Sequence, residues 1–371
     1  MMNHRQRMLA ALGHREPDRV PRYASLTPGV LDALAACAPG ADPAALWGWD
    51  VAAVALRPPE PRPDLLARFG RYHAHRAVEW RLDWALNDYP PEWGVATRPA
   101  HLYHLSAPLP PLEQARDQSD LAAYPFPDYI GEWQHAHLEG EVAALHAAGW
   151  FVDAFVGWIF QTAWSLRGEV RLFEDMYDRP AFAAALLDRV TGIRCAQAER
   201  LAAAGVDSLS LNDDIGGQRG MILSPAMWRR WLKPRLAEVI AAARRANPQV
   251  HFRYHSDGNY AAVIPDLIAI GVTSLRTVQP EALDVYAIKR EYGRDVALEG
   301  TIGLQGVLRE GPPEAVRAMV QQQCGGLMAG GGWVAAPGNG VTPDIPVANL
   351  YALFAALDAY GAYESEAIAR R

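Results

Sequence analysis

A regular alternation of helix-like and strand-like segments runs from residue 135 towards the end of this chain, and it restricts the possible folds more than any other feature. Six times, an amphipathic segment of helical period precedes a short run of apolar and β-branched residues. Two further strand-like runs come earlier, one ending near Ser25 and one over residues 49–56. The other six predicted strands cover residues 150–156, 206–211, 250–255, 273–278, 296–300 and 333–337.

Eight strands that alternate with helices predict a parallel sheet, because consecutive parallel strands need a crossover connection. Eight such units favour an α/β fold closed into a (β/α)₈ barrel of the TIM type. An open, doubly wound sheet is the alternative, but no Gly-x-Gly-x-x-Gly follows the first strand. We expect a single domain over residues 1–371, with residues 57–130 as an insertion after strand two and a small hairpin over residues 72–80.

Charge and cysteine content exclude several classes of protein. The formal net charge is −7 and no basic stripe is present, which argues against nucleic-acid binding. Three cysteines, none in a Cys-x-x-Cys pair, favour a reducing compartment over a disulfide framework. The first residues contain no apolar signal region, and no apolar stretch is long enough for a membrane span. We therefore expect a cytoplasmic protein without a membrane segment.

Chemistry in barrels of this kind lies at the C-terminal ends of the strands. The predicted strand ends carry acidic, aromatic and amide side chains, namely Tyr23, Ser25, Trp158, Phe160, Gln161, Asp213, Asp214, His255, Asp257, Gln279, Glu299 and Asn339. Each one alone has an ordinary explanation, since Asx residues after strands often form turns or cap helices. Four carboxylates and a histidine from neighbouring strands of one rim instead predict a functional site.

His255 and Asp257 are the centre of that predicted site. They stand two residues apart where a buried strand ends in Asp257-Gly258, a turn signal, so both side chains can reach one point. Such a pair can bind a metal, share a proton or orient a substrate. A core histidine followed by a turn aspartate is the alternative. We expect catalytic roles for His255, Asp257, Asp214 and Glu299. Substrate contacts are expected from Tyr23, Trp158, Phe160, Asp213, Arg253, Gln279 and Asn339.

Arg253 lies on the same predicted strand as His255. If His255 faces the barrel interior, Arg253 does too, because side chains alternate along a strand. A buried arginine needs a paired carboxylate, and Asp213 or Glu299 would supply it. The alternative is an outward-facing Arg253 that pairs at a helix interface.

Several short motifs, taken in order, resemble the uroporphyrinogen decarboxylase superfamily. They are residues 7–12, residues 16–21, Leu166-Arg167-Gly168, residues 212–216, Ser224-Pro225, His255-Ser256-Asp257-Gly258, residues 331–333 and residues 343–349. The resemblance covers nearly the whole chain. It implies a distorted (β/α)₈ barrel, in agreement with the alternation of segments.

The branches of this superfamily differ in their site residues. Uroporphyrinogen decarboxylases carry an Arg-Gln-Ala-Gly-Arg-like segment that grips substrate carboxylates, whereas this chain has Arg22-Tyr23-Ala24-Ser25-Leu26. Binding of a tetrapyrrole with eight carboxylates requires a cationic pocket, whereas the rim of this chain is acidic and aromatic. Corrinoid-linked methyltransferases hold zinc with a His-x-Cys and a later cysteine. Here His255 matches the histidine, Asp257 replaces the first cysteine and Asn339 stands in the place of the second.

The resemblance to this second branch implies a methyltransferase that demethylates a small ether-type or aromatic donor towards a corrinoid on a partner protein. His255, Asp257 and Glu299 would hold Zn²⁺ or another divalent metal, since zinc accepts histidine and carboxylate ligands. One alternative is a cofactor-free decarboxylase or lyase acting on a small acid or a tetrapyrrole-like substrate. Another is a barrel that binds a small ligand without turnover. Besides a small-molecule substrate and a corrinoid protein, a second copy of the chain is an expected partner.

Overall fold

The computed structural model describes residues 1–84, 91–98 and 107–363. Its strands are, in chain order, β1 (Val51–Val54), β2 (Ala96–Arg98), β3 (Ala107–Leu109), β4 (Phe151–Trp158), β5 (Ser208–Asn212), β6 (Gly216–Gly217), β7 (Gly220–Met221), β8 (His251–His255), β9 (Ser274–Leu275) and β10 (Ala297–Leu298). Six of them form a parallel sheet in the order β1-β4-β5-β8-β9-β10. The carboxyl ends of these strands therefore meet at one edge.

Two extended segments lie between the edges of this sheet and link them into a ring. Leu298 of β10 pairs in parallel with Trp333, and Ala335 pairs in parallel with Arg22. On the other side, the backbone N–H of Asp50, next to β1, donates to the carbonyl oxygen of Arg22 (2.9 Å). The ring contains the eight segments of the predicted barrel. The segment around Arg22 and the segment that contains Trp333 and Ala335 are held by isolated bridges rather than by regular ladders.

Helices follow the strands and pack on the outside of the sheet. They are α1 (His4–Leu12), α2 (Pro28–Cys37), α3 (Pro43–Trp47), α4 (Leu65–Phe69), α5 (Gln118–Ala122), α6 (Leu138–Ala147), α7 (Phe160–Arg167), α8 (Glu169–Asp178), α9 (Pro180–Ala203), α10 (Pro225–Trp231), α11 (Lys233–Ala246), α12 (Ile264–Ala269), α13 (Val285–Tyr292), α14 (Val307–Glu310), α15 (Pro313–Leu327) and α16 (Val347–Tyr360). The helical segment predicted over residues 225–247 is divided at Leu232. Pro234 explains the break, because it has no N–H to continue the helical hydrogen bonds.

The predicted insertion, residues 57–130, follows β1, which is the second of the predicted strands, and it differs from the prediction in one respect. The hairpin predicted over residues 72–80 is wrong, because residues 70–72 form a 3₁₀ turn and the antiparallel pair is β2 with β3. Arg167 of α7 ties this region to the barrel by donating to the carbonyl oxygens of Leu112, Glu113 and Ala115. These contacts support the proposal that residues 57–130 belong to the same domain as the barrel.

A buried carboxylate holds the N-terminal helix against the opposite end of the barrel. Asp50, fully buried, accepts hydrogen bonds from the side chains of His4, Arg7 and Arg19 and from the backbone N–H of Arg22. Two guanidinium groups on one carboxylate offset its desolvation. The charged side chains at this end of the barrel therefore hold structural elements together. None of the described helices has both the length and the apolar character required to cross a bilayer.

Candidate active site

Three potential ligand groups meet at the carboxyl edge of the sheet. The Nε2 atom of His255 lies 3.7 Å from Oδ1 of Asp214 and 3.6 Å from Oδ1 of Asp257. One ligand atom from each residue falls within 4.8 Å of the others. His255 ends β8, Asp257 follows it, and Asp214 follows β5, the neighbouring strand. The structure thus brings together three of the four residues predicted to be catalytic.

Close backbone packing fixes the two loops that carry these carboxylates. A Cβ atom on Gly216 would lie 2.6 Å from the carbonyl oxygen of Asp257, and one on Gly258 would lie 2.5 Å from backbone atoms of Gly216. Gly258 also has a φ of +74°, which favours glycine. The backbone N–H of Asp257 donates to Oδ1 of Asp214 (2.9 Å). The backbones of the two loops that carry these carboxylates are therefore packed directly against each other.

The hydroxyl of Thr277 determines which nitrogen of His255 carries hydrogen. Its Oγ1 atom lies 2.6 Å from Nδ1 of His255 and 2.6 Å from the carbonyl oxygen of Gly338. A carbonyl oxygen only accepts, so the single hydroxyl hydrogen goes to Gly338 and the hydroxyl accepts from Nδ1–H. In the neutral ring, Nε2 then presents a lone pair towards Asp214 and Asp257. Three electron-rich atoms face one another, and this arrangement calls for a cation or a proton among them.

Burial shifts the titration of this cluster. It lowers the pKa of His255 to about 4, and the charge of Arg276 acts in the same direction against the opposite effect of Asp214. Burial and the charge of Asp214 raise the pKa of Asp257 to about 6, while a hydrogen bond from Asn339 opposes them. His255 is consequently neutral at physiological pH, the form in which imidazole binds metals.

Neighbouring side chains orient the two carboxylates. Nε2 of Gln161 donates to Oδ2 of Asp214 (2.9 Å), and Nδ2 of Asn339 donates to Oδ2 of Asp257 (2.8 Å). In both residues Oδ1 is the oxygen nearest to His255. The side chain of Asp257 contacts Asn339 rather than capping its own turn, which argues against the turn-aspartate alternative.

Two adjoining pockets open onto the cluster. The first, about 190 Å³, is lined by Tyr23, Asn212, His255 and Arg276 among others. The second, about 380 Å³, is lined by Asp257, Gln279, Glu281 and mainly glycine and amide residues. Thr277, Gly338, Asn339 and Gly340 border both pockets. A small molecule in either pocket would lie beside His255 or Asp257.

Aromatic side chains lie at the same level on the next strand. Trp158 is paired in register with Asn212, which is paired with His255, and paired residues of parallel strands point to the same side. The ring of Trp158 packs against that of Phe155 at 4.7 Å, and Phe155 is 42% exposed. Phe160, by contrast, is fully buried against Trp164. Trp158 is thus positioned at the mouth of the barrel, the end at which the carboxyl ends of the strands meet. Phe160 belongs to the core.

Asp213 and Gln279 hold backbone groups. Asp213 accepts hydrogen bonds from the backbone N–H groups of Ile159, Phe160 and Gln161 at the beginning of α7. Burial raises its pKa to about 7 although these donors lower it. The side-chain oxygen of Gln279 accepts from the backbone N–H of Gly258 (3.0 Å). Asp213 therefore caps a helix, while Gln279 supports the turn after Asp257 and also borders the second pocket.

Glu299 and Arg253 lie deeper, in the barrel interior. Arg253 is fully buried, and its Nε and Nη2 atoms lie 3.0 and 2.5 Å from the two carboxylate oxygens of Glu299. Its Nη1 atom lies 3.2 Å from Oδ2 of Asp153. The inward orientation and the pairing with Glu299 are confirmed, whereas the pairing with Asp213 is wrong because that carboxylate caps α7. Glu299, placed by the sequence among the metal ligands, is not brought to the cluster, since Arg253 and Ser274 occupy its oxygens.

Sequence reasoning missed Asp153, Arg276 and Thr277. All three interrupt predicted apolar strands with a charged or hydroxyl side chain, and that interruption was the available signal. Tyr23, which was predicted, lies with its ring 4.9 Å from Cζ of Arg253 and 5.8 Å from Cζ of Arg276. It separates the interior ion pair from the pocket at the mouth.

Comparison with known protein families gives one match that covers more than half of the chain. A sequence model described as uroporphyrinogen decarboxylase (URO-D) matches residues 146–360. These residues include β4 to β10, the three residues of the cluster and Thr277. The matched region thus contains the geometry described above.

Individual proteins are similar to parts or to the whole of the chain. Two methylcobamide:CoM methyltransferases named MtaA match, one from Methanosarcina barkeri (28% identity over 174 residues, 47% of this chain and 48% of that protein) and one from Methanosarcina barkeri strain Fusaro (27% over 197 residues, 53% and 51%). The chain spans about half the length of these curated relatives. A solved structure, a methyltransferase from Methanosarcina mazei, is 18% identical, with a TM-score of 0.67 over 97% of this chain and 99% of that chain. This likeness confirms the predicted barrel fold.

Proposed function

We propose that this chain, which belongs to the uroporphyrinogen decarboxylase (URO-D) family, is a metal-assisted methyltransferase. It would move a methyl group from a small donor to a corrinoid on a partner protein. The observation that carries the proposal is the lone pair of His255 Nε2 facing Asp214 and Asp257. The partial similarity to methylcobamide:CoM methyltransferases supports methyl transfer rather than decarboxylation.

The donor set fits a divalent cation. Ligand atoms around a four-coordinate zinc at ~2.0–2.2 Å lie roughly 3.3–3.6 Å apart. The separations of 3.7 and 3.6 Å from His255 Nε2 to the two carboxylates are close to that spacing. One imidazole and two carboxylates form a hard set without thiolate, which suits oxygen ligands better than sulfur ligands. We therefore propose His255, Asp214 and Asp257 as the metal ligands, and Glu299 as a structural residue.

An ether-type methyl donor is the substrate that this donor set favours. A divalent cation bound there supplies Lewis-acid stabilisation to an oxygen that becomes negative. In such a reaction the C–O bond of the ether would break with its electron pair left on oxygen, the cobalt(I) corrinoid of the partner would supply the pair that binds the methyl group, and a proton from solvent would complete the alcohol. As ligands, Asp214 and Asp257 would hold the cation beside the reacting oxygen, while Trp158 and Phe155 provide an apolar surface at the mouth.

Metal content and methyl transfer test the proposal together. We expect purified protein to bind about one equivalent of Zn²⁺ or Co²⁺, measured by elemental analysis after dialysis. Asp257→Asn keeps the shape but removes the charge, and it should abolish this binding. Methylcobalamin formation from cob(I)alamin and a methyl aryl ether, followed by absorbance, should require the metal. Metal-free protein that releases carbon dioxide from a small acid would instead support the decarboxylase alternative.

A further inference from the structure

We propose that Arg276 forms an anion-binding subsite in the first pocket and that the substrate carries a carboxylate there. The inference deepens the proposed function, because it names a chemical feature of the methyl donor. The subsite lies beside His255, so one end of a small molecule would be held while the other reaches the cluster.

Arg276 has no carboxylate partner. No carboxylate oxygen of the described residues lies within 4 Å of its guanidinium group, whereas Arg253 lies within that distance of both Asp153 and Glu299. Glu299 is the carboxylate below Arg276, but its two oxygens are occupied by Arg253 and Ser274. Arg276 and Glu299 attract each other only at a longer distance, so this half-buried guanidinium has no carboxylate in direct contact among the described residues, which is unusual because burial of a charge is costly. An anionic ligand would supply the missing partner.

The position of Arg276 directs its charge into the pocket. Its backbone N–H bonds to the carbonyl oxygen of Tyr254 (2.7 Å), which places it next to His255 on the neighbouring strand. The ring of Tyr23 lies between Arg276 and the interior ion pair.

The two pockets differ in charge, and the difference decides where an anion binds. The first contains Arg276 and no carboxylate among its lining residues, whereas the second is lined by Asp257 and Glu281. A volume of about 190 Å³ lies below the ~300–1,000 Å³ typical of drug-sized ligands, so the ligand is small. Arginine binds a carboxylate through two parallel N–H···O bonds, which makes a small carboxylic acid the favoured class.

Binding of propionate to chelator-treated protein tests the subsite without the metal. We expect saturable binding by calorimetry or NMR, with propionamide at least tenfold weaker because it lacks the charge. Arg276→Gln should weaken propionate about 10- to 100-fold, the range for hydrogen bonds to charged groups. Arg276→Lys should retain part of the affinity. Arg219→Gln, which removes a charge from an exposed residue of the same rim, should leave it unchanged.

Several results would overturn the inference. They are absence of propionate binding to the wild type, equal binding by Arg276→Gln and the wild type, and equal binding of propionamide. Methanesulfonate and inorganic phosphate serve as competing oxyanions, and a preference for either would overturn the assignment to a carboxylate. Arg276-dependent propionate binding in a protein without methyl transfer would support the subsite while the proposed function fails. Methyl transfer with an unchanged KM in Arg276→Gln would support the proposed function while the subsite fails.

Discussion

Arg253 and Glu299 form a two-bond ion pair in the centre of the barrel, and neither side chain is exposed to solvent. Burial alone would raise the pKa of Glu299, but Arg253 and Ser274 hold it below its ordinary value. The pair therefore remains charged in the barrel interior.

Removing the charge of Glu299 should destabilise the fold more than it affects the cluster. Glu299→Gln leaves Arg253 with only Asp153, and breaking a buried pair in this way costs about 3–5 kcal/mol. We expect the free energy of unfolding in urea to fall by that amount, while metal binding by the folded fraction is retained. Glu174→Gln, at an exposed position of α8, should change stability by less than about 0.5 kcal/mol. Loss of metal with unchanged stability would assign Glu299 to the ligand set.

The hydroxyl of Thr277 should matter for metal affinity. Thr277→Val removes the acceptor of His255 Nδ1–H and frees the ring to exchange tautomers. Loss of such a supporting hydrogen bond typically lowers metal affinity about 10- to 100-fold. Competition with a chromophoric chelator would measure the change, and Thr277→Ser should behave like the wild type because it keeps the hydroxyl. Equal affinity in Thr277→Val and the wild type would show that the tautomer is fixed by other contacts.

Gly216 provides a test of the backbone contact between the two site loops. In Gly216→Ala the new Cβ would approach the carbonyl oxygen of Asp257 to 2.6 Å, so the loops must separate. We expect metal binding to weaken by at least tenfold and the apparent Tm to fall. Gly217→Ala is the matched control, since its nearest neighbour would be the carbonyl oxygen of Gly220 at an ordinary 3.5 Å. Similar behaviour of the two variants would refute the proposed role of the close contact.

His73 in the insertion should make stability depend on pH. It is fully buried, its Nε2 lies 2.8 Å from the carbonyl oxygen of Gly94, and burial lowers its pKa to about 4. The unfolded chain, with a histidine pKa of about 6.5, binds the proton first as pH falls. The contribution of His73 to the free energy of unfolding is therefore complete above pH ~6.5 and is lost as pH falls towards ~4. At pH 5, roughly 2 kcal/mol of it has been lost.

Urea unfolding at pH 7.5 and pH 5 measures this contribution. In His73→Gln the loss of stability between the two pH values should shrink by about 2 kcal/mol relative to the wild type. His75→Gln, two residues away and exposed, should leave the difference nearly unchanged. An unaltered difference in His73→Gln would mean that other buried histidines, such as His251, dominate the acid response.

The parallel arrangement of the strands and the convergence of His255 with Asp257 could be predicted from the sequence because both depend on local patterns. Strands of apolar residues that alternate with helices predict a parallel barrel, and His255 with Asp257 at a strand end predicts convergence. The pairing of Arg253 with Glu299 also followed, since alternation places Arg253 inside and burial demands a carboxylate. These inferences need only the direction in which a side chain points.

The remaining features depend on distances between segments far apart in sequence. Asp213 and Asp214 are adjacent residues of the same type, yet one caps α7 and the other faces His255, and only the packed loops decide between them. Sequence spacing could not assign Asp153 to Arg253, because 100 residues separate the two. Arg276 and Thr277 were overlooked because the predicted strand continued to residue 278, whereas β9 ends at Leu275. The predicted end of that strand therefore lay too far along the chain.

The contact between Thr277 and Gly338 links the electronic state of His255 to the position of a loop. If the loop at Gly338 moved away by the length of one hydrogen bond, the hydroxyl hydrogen of Thr277 would be free to turn towards Nδ1. The imidazole would then carry its hydrogen on Nε2 and donate to Asp214 or Asp257, and it would no longer offer a lone pair to a cation. Gly338 and Asn339 border both pockets, so a ligand bound in either pocket would lie against the segment that accepts this hydroxyl hydrogen. Rotation of this hydroxyl, together with exchange of the ring proton from Nδ1 to Nε2 through solvent, would convert the cluster from a cation acceptor into a self-contained hydrogen-bonded group.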